Sequence, residues 1–249
     1  DGDSGTVQNI KGNVSTGEIF TDTTNLKINP ATNVESQTTV AMVSDEKSDK
    51  IYSFIAAPPV QKSASVRVTS YIDAIIEHDL TNNTNTPVLI DNFCSVVSHS
   101  NALAPNDSPT FFTVNLQSGV IEEAKIRVGM EVLMLDDNDN NVLQDAFIDE
   151  VFEDSDYIVL NKEQNVDISA VTKIIFKAER VLKFNTNEMF DYTVGTSLVA
   201  PNKITGVNII DNLLFWTDNI NEPKKINIDR CKAGCVDFTT HTKLFIKDP

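Results

Sequence analysis

Short runs in which apolar and polar residues alternate recur along the chain, separated by clusters of Asp, Asn, Ser and Pro. The first group of four runs occupies residues 39–43, 50–55, 73–80 and 87–90. Alternation of this kind places one side of a strand in the core and the other in solvent, and Asp, Asn and Pro favour turns. The pattern therefore predicts an all-β fold built from short antiparallel strands.

A second group of four runs occupies residues 204–210, 213–217, 225–229 and 242–246. It resembles the first group, because the second run of each is aromatic, with Phe54 in one and Trp216 in the other. The third run of each group places an Asp, Asp79 or Asp229, where the chain is expected to turn. Repeated four-stranded antiparallel units are typical of β-propeller blades, which bury their faces against neighbouring blades. We therefore expect a partial β-propeller with Trp216 in its core.

More chain separates the two groups than a connection between blades requires. Alternating runs within this segment lie at residues 125–135, 142–143, 146–148, 157–160 and 173–176. They predict an inserted β-rich domain, either a small barrel or a sandwich. The predicted organisation is an extended N-terminal arm at 1–38, a first blade at 39–95, the inserted domain at 96–180, and a return strand with the second blade at 181–249.

The chain of 249 residues is strongly acidic, with a formal net charge of -16 at pH 7. Surfaces that bind nucleic acid concentrate Lys and Arg, so we expect no direct contact with nucleic acid. No apolar run approaches the roughly 18 residues of a membrane-spanning helix, so no membrane span is expected. Cys94, Cys231 and Cys235 form neither a dense disulfide framework nor a complete zinc site, and we expect unpaired thiols in a reducing cytoplasm; the alternative is a pair between Cys231 and Cys235 of CKAGC at one turn.

The acidic hexamer DDNDNN at residues 136–141 is the clearest candidate for a metal site. An EF-hand loop requires Gly at its sixth position and Glu at its twelfth. Counting from Asp136 gives Asn141 and Phe147 at those positions, and the next register fails in the same way. The hexamer is therefore predicted to be the solvated tip of a hairpin.

The sequence contains no recognisable arrangement of catalytic residues. His78, His99 and His241 are far apart in the chain, and Glu77 and His78 are neighbours that face opposite sides of a predicted strand. The nucleophile-elbow, phosphate-loop and dinucleotide-binding patterns are not present. We therefore predict no catalytic residues, no cofactor and no metal ion, and we do not expect an enzyme.

Several sequence blocks point to a known family. They are DGDSGTVQNIKGN at the start, KIYSFIAA, AIIEHDL and TPVLID in the first group, and ITGVNIIDNLLFWTDNINEPKKINIDRCKAG in the second. These blocks resemble the tail stabilisation, tail hub or "muzzle" proteins of crAss-like and related short-tailed bacteriophages. The resemblance covers residues 1–95 and 181–249, is most specific in LLFWTDNINEPKKINI within the last block, and does not extend to the inserted segment. LFWTD is also similar to the YWTD strand of receptor propellers, which favours a blade.

The resemblance implies a structural protein of the virion tail, made in the cytoplasm of the host bacterium. It would close the tail channel, form a homo-oligomer around the tail axis, and contact portal-proximal ring and fibre proteins. Proteins of that family are longer than this chain, and a closed propeller needs at least about four blades. We therefore expect further sequence, or completion of the propeller by other chains.

Two other functions fit the same pattern. One is a propeller that binds a ligand or a host glycan, with the inserted segment as the receptor surface. The other is a propeller hydrolase, which requires acidic or His residues that converge at the axis.

Overall fold

The computed structural model describes residues 38–56, 60–63, 68–103, 110–184 and 204–244. The predicted arm at 1–38 lies outside these residues except for its last position. Most of the regular structure is antiparallel strand, which confirms the predicted all-β class. Among the helices of the described part, none is long and apolar enough to cross a membrane.

The strands of the first group lie next to one another at one edge of a seven-stranded sheet. They are β1 (Thr38–Asp45), β2 (Lys50–Ala56), β3 (Val60–Ser63), β4 (Val68–Asp79) and β5 (Thr84–Ser98). β1, β2, β4 and β5 lie side by side in chain order, and β3 pairs with the start of β4. Asp49 and Asn83 close the hairpin turns at left-handed angles, with φ of 53° and 52°, a region that Asp and Asn tolerate. The four predicted strands are present, and β4 and β5 are longer than predicted.

The sheet continues past β5 into the segment that was predicted to be an insertion. β10 (Val171–Lys177) pairs with the end of β5, and β7 (Glu131–Asp136) pairs with β10. The full order is β1-β2-β4-β5-β10-β7. The boundary predicted between residues 95 and 96 therefore falls inside β5, and residues on both sides of it share one sheet.

The remainder of this segment forms a smaller sheet that shares a core with one end of the large sheet. The small sheet has the order β6-β9-β8 and consists of β6 (Thr110–Asn115), β8 (Ile148–Phe152) and β9 (Tyr157–Asn165). Two short helices, α1 (His99–Ala102) and α2 (Val120–Ala124), accompany it. Val114, Ile158, Met134 and Phe176 belong to one buried apolar cluster, so the small sheet packs against the large one.

The second group of runs contains three strands in the described residues, not the predicted four. β11 (Gly206–Ile210), β12 (Leu213–Thr217) and β13 (Lys224–Asn227) form an antiparallel meander. The prediction of a strand up to Asp229 is wrong, because Asn227 caps helix α3 (Ile228–Gly234) by accepting a hydrogen bond from the Arg230 backbone N–H at 2.9 Å.

The strand predicted at 242–246 is also absent from its described part, 242–244. Thr242 instead lies beside β5, where its N–H donates to the Ile90 carbonyl at 2.9 Å. Its hydroxyl accepts from the Ile90 N–H at 2.8 Å, a bond that a strand would make through its own carbonyl. Thr242 alone therefore satisfies the backbone N–H and C=O groups of Ile90, and no further strand is needed to pair with them.

The face of the large sheet packs against the β11–β12–β13 sheet. The Phe54 ring meets the Trp216 ring edge-on with centroids 5.6 Å apart, and the Phe184 ring lies 5.8 Å from Phe54. Trp216 is buried, which confirms its predicted structural role. Leu182 and Phe184 belong to the same core, although residues 181–184 do not form the predicted return strand.

Candidate functional site

The most unusual chemistry in the molecule is a group of charged side chains inside the core. Asp73 on β4 and Asp91 on β5 are direct partners in the strand register, so both carboxylates lie on the same face of the sheet. Both are fully buried. Together with Arg127, Arg180 and His241 they form what we call the aspartate cluster.

Asp73 is neutralised by Arg180, which lies three residues after the end of β10. Its Oδ2 atom lies 2.8 Å from Nη2 of Arg180 and accepts a further hydrogen bond from the Phe184 N–H at 3.1 Å. The Arg180 guanidinium carbon is 4.3 Å from the centre of the Phe93 ring, a cation–π contact. The charge pair therefore holds the irregular segment 180–184 against β4.

Asp91 is stabilised by backbone donors. Its Oδ2 atom accepts from the N–H groups of Val181 at 2.7 Å and Leu182 at 2.9 Å. Burial raises the pKa of Asp91 to about 6, and the nearby Asp73 charge acts in the same direction, whereas the two N–H groups oppose the shift. Asp91 therefore binds a proton more readily than an ordinary aspartate.

His241 reaches the other oxygen of Asp91 from the segment that follows α3. Its Nδ1 atom lies 3.7 Å from Oδ1 of Asp91, and within the described residues neither atom forms a hydrogen bond. Burial lowers the pKa of His241 to about 4, and the positive charge of Arg127 adds to this effect. Arg127 is itself held by the Asn92 carbonyl, to which its Nη2 donates at 2.8 Å.

The cluster joins parts of the chain that are distant in sequence. It links β4, β5, Arg127 in the loop after α2, the segment 180–184 and the segment after α3. Because Asp73 and Asp91 are inaccessible, neither can contact a substrate without a rearrangement of the core. The arrangement is suited to fixing segments in place.

A second buried charge connects the large sheet with α3. Glu77 accepts a hydrogen bond from the Tyr52 hydroxyl at 2.8 Å and lies 2.7 Å from Nζ of Lys232 and 3.1 Å from Nζ of Lys50. Burial alone would raise the pKa of Glu77, but the bonds from Lys232, Tyr52 and Lys50 outweigh it and lower the pKa. We call this group the glutamate bridge; it ties the second group of strands to the first.

The acidic hexamer forms a tight turn after β7, as predicted. Asp136 accepts hydrogen bonds from the N–H groups of Asn138 at 2.8 Å and Asn140 at 2.9 Å, and Asp139 has a φ of 62°. Over the described ranges, no group of three or more His, Cys, Asp or Glu side chains is arranged to hold a metal ion.

The structure does not bring the three histidines together. His78 bonds Asn85 on the neighbouring strand, whereas the side chain of its neighbour Glu77 is buried in the glutamate bridge. His99 begins α1, and His241 belongs to the aspartate cluster.

Cys94, Cys231 and Cys235 form no disulfide within the described residues. Cys231 is buried, and burial raises the pKa of its thiol to about 11. Cys235 lies at the end of α3, where its Sγ atom is 2.8 Å from the Thr242 hydroxyl.

Sequence reasoning missed the aspartate cluster. Asp73 and Asp91 each follow an Ile within a run that is otherwise largely apolar, YIDAII and VLIDNF. A charged residue at an inward position of a buried strand is costly unless it is paired, and this was the available signal. The partners Arg180 and His241 lie too far along the chain for any local pattern to indicate them.

Comparison with protein-family models, with curated proteins and with solved structures finds no match for this chain.

Proposed function

We propose that this chain is a structural protein of a tailed bacteriophage virion, part of the tail hub or muzzle. In this proposal it closes the tail channel, surrounds the tail axis in several copies, and contacts portal-proximal ring and fibre proteins. It is made in the cytoplasm of the host bacterium, carries no catalytic site and binds no cofactor. The block LLFWTDNINEPKKINI, the most specific part of the family resemblance, forms β12, β13 and the first residue of α3.

The observation that carries the proposal is the use of buried charge to hold the chain together. The aspartate cluster and the glutamate bridge both connect segments that are far apart in sequence, and their acidic members are inaccessible. An assembly protein has to keep its shape while neighbouring proteins bind and while force acts along the tail. Breaking one partner of a buried charge pair is strongly unfavourable, so such pairs resist local opening.

The sheets β1-β2-β4-β5 and β11–β12–β13 pack face to face through Phe54 and Trp216, as neighbouring propeller blades do. We propose that they are two blades of a partial propeller, and that the segment after β5 is an inserted barrel or sandwich that shares the large sheet through β10 and β7. The ring would be completed by other chain segments.

A surface of negative charge suits a channel through which DNA has to slide. Like charge suppresses binding of phosphate groups, and the net charge is -16. Tight binding of duplex DNA by the chain at physiological salt would contradict this part of the proposal.

Mass spectrometry of purified virions tests the assembly role. We expect peptides of this chain in intact particles and in the isolated tail fraction, at a copy number that matches a symmetric ring. Absence of the chain from purified particles would exclude the proposal.

A second candidate function is binding of a ligand or host glycan by residues 96–180. The rings of Phe152 and Tyr157 stack at 4.4 Å on the outward side of the small sheet, and Phe152 is exposed. Exposed aromatic rings are common in surfaces that bind sugars or other proteins. Binding to a defined glycan on an array, abolished by Tyr157→Ala, would favour this function.

A further inference from the structure

Strand β8 is an edge of the small sheet whose outer side is open. Over the described parts of the chain, β9 is the only strand that forms a ladder with β8. Ile148 at the start of β8 still bonds the backbone of Gly129 and Met130, so the open part begins at Asp149. Such an edge offers backbone N–H and C=O groups to an added strand.

An aromatic ring and a set of carboxylates surround this open edge. Phe152 is exposed, and so are Asp149, Glu150, Glu153 and Asp154. None of these four carboxylates takes part in an ion pair with another described residue. Residues 145–157 contain no Lys, Arg or His, so the charge along the edge has one sign.

We propose that the open edge of β8, from Asp149 to Phe152, pairs with an extended, positively charged segment of a partner protein. The carboxylates oppose pairing with β8 of a second copy, because like charges would face each other. Because alternate residues share one side of a strand, Glu150 and Phe152 face the same way, and the partner strand presents Lys or Arg on that side, where its positive charges meet Glu150 and lie over the Phe152 ring. The inference rests on the proposed assembly role and names the chemistry of one neighbour contact.

Peptide binding to the full chain tests this pairing. One fluorescent peptide alternates lysine with valine, and its control alternates glutamate with valine. We expect only the lysine peptide to bind, with an affinity at least about tenfold lower when salt rises from about 0.1 M to about 1 M, because the Debye length falls from about 10 Å to about 3 Å. Hydrogen exchange should slow at amides within Asp149–Phe152.

Two charge-reversal variants locate the contact. Glu150→Lys should weaken binding of the lysine peptide at least about tenfold. Asp137→Lys makes the same charge change at the exposed hairpin tip and should leave binding within about twofold. Both positions are exposed, so circular dichroism should show that both variants remain folded.

Three outcomes would overturn the inference: no binding of the lysine peptide, equal binding of the glutamate peptide, or equal loss in the two variants. If one of these outcomes is observed and the chain is still found in purified tails, the proposed pairing of β8 is refuted and the proposed virion role stands.

Discussion

Asp73 and Asp91 face each other across β4 and β5, and neither side chain has any exposed surface. The two carboxylates are compensated in different ways, Asp73 by the Arg180 guanidinium and Asp91 by two backbone N–H groups. A full positive charge offsets burial better than N–H dipoles do. The stability of the fold should therefore depend on pH through Asp91 and its neighbour His241.

Asp91→Asn removes a carboxyl group whose pKa is about 6 in the folded chain and 3.8 in the reference state. Between pH 3.8 and about pH 6, Asp91 is protonated in the folded wild type and ionised in the unfolded chain. Asp91 therefore makes the free energy of unfolding fall as pH rises. The fall is about 1.4 kcal/mol per pH unit. Urea unfolding from pH 4 to pH 8 should show the variant gaining stability relative to wild type up to about pH 6, with a constant difference above pH 7. A difference that does not change with pH would contradict the assignment.

His241→Asn should produce the opposite trend. The pKa of His241 is about 4 in the folded chain and 6.5 in the reference state, so the unfolded state holds the extra proton between these values. Burial of this histidine therefore makes the free energy of unfolding rise as pH increases from about 4 to about 6.5. The variant should lose that rise, and combining it with Asp91→Asn should leave neither trend. The same urea series measures both, and an unchanged slope in the single variant would refute the assignment.

Arg180→Met removes the guanidinium that lies on Asp73. Removal of one partner of a buried ion pair typically costs about 3–5 kcal/mol. Lys162→Met is the matched control, because its pair with Asp145 is exposed and such pairs contribute about 0–1 kcal/mol. Urea unfolding followed by circular dichroism gives both values. Equal losses in the free energy of unfolding would show that the buried Arg180–Asp73 pair stabilises the fold no more than the exposed Lys162–Asp145 pair does.

Trp216→Ala opens a cavity between the two packed sheets. We expect a loss of about 3–5 kcal/mol, as for other large aromatic residues in cores. Val236→Ala, at a side chain that is 74% exposed, serves as the control and should change stability by less than about 0.5 kcal/mol. Thermal and urea unfolding measure both, and a loss below about 1 kcal/mol for Trp216→Ala would contradict the packing.

Much of the strand layout could be predicted from local sequence. Alternation identifies β1 and β12, each of which has a more buried and a more exposed side, whereas β2 and most of β4 are recognisable as short, largely apolar runs between turns, and β4 is buried on both sides. The turn residues Asp49 and Asn83 mark the hairpins because they tolerate left-handed backbone angles. The place of Trp216 in the core also followed from the pattern.

The remaining features depend on contacts between distant residues. β5 extends to Ser98 because β10, which lies more than seventy residues later, supplies the partner for its second half. The segment at 242–244 is irregular because the Thr242 hydroxyl and N–H bond Ile90 directly. The aspartate cluster requires Arg180 and His241 to meet β4 and β5, and no local pattern encodes that encounter.

A cryo-electron microscopy map of the intact tail tests the assembly role most directly. We expect the two packed sheets, joined through Phe54 and Trp216, to fit density at a fixed position near the end of the tail channel, repeated around the axis. A well-resolved tail in which every density is explained by other chains would contradict the proposal.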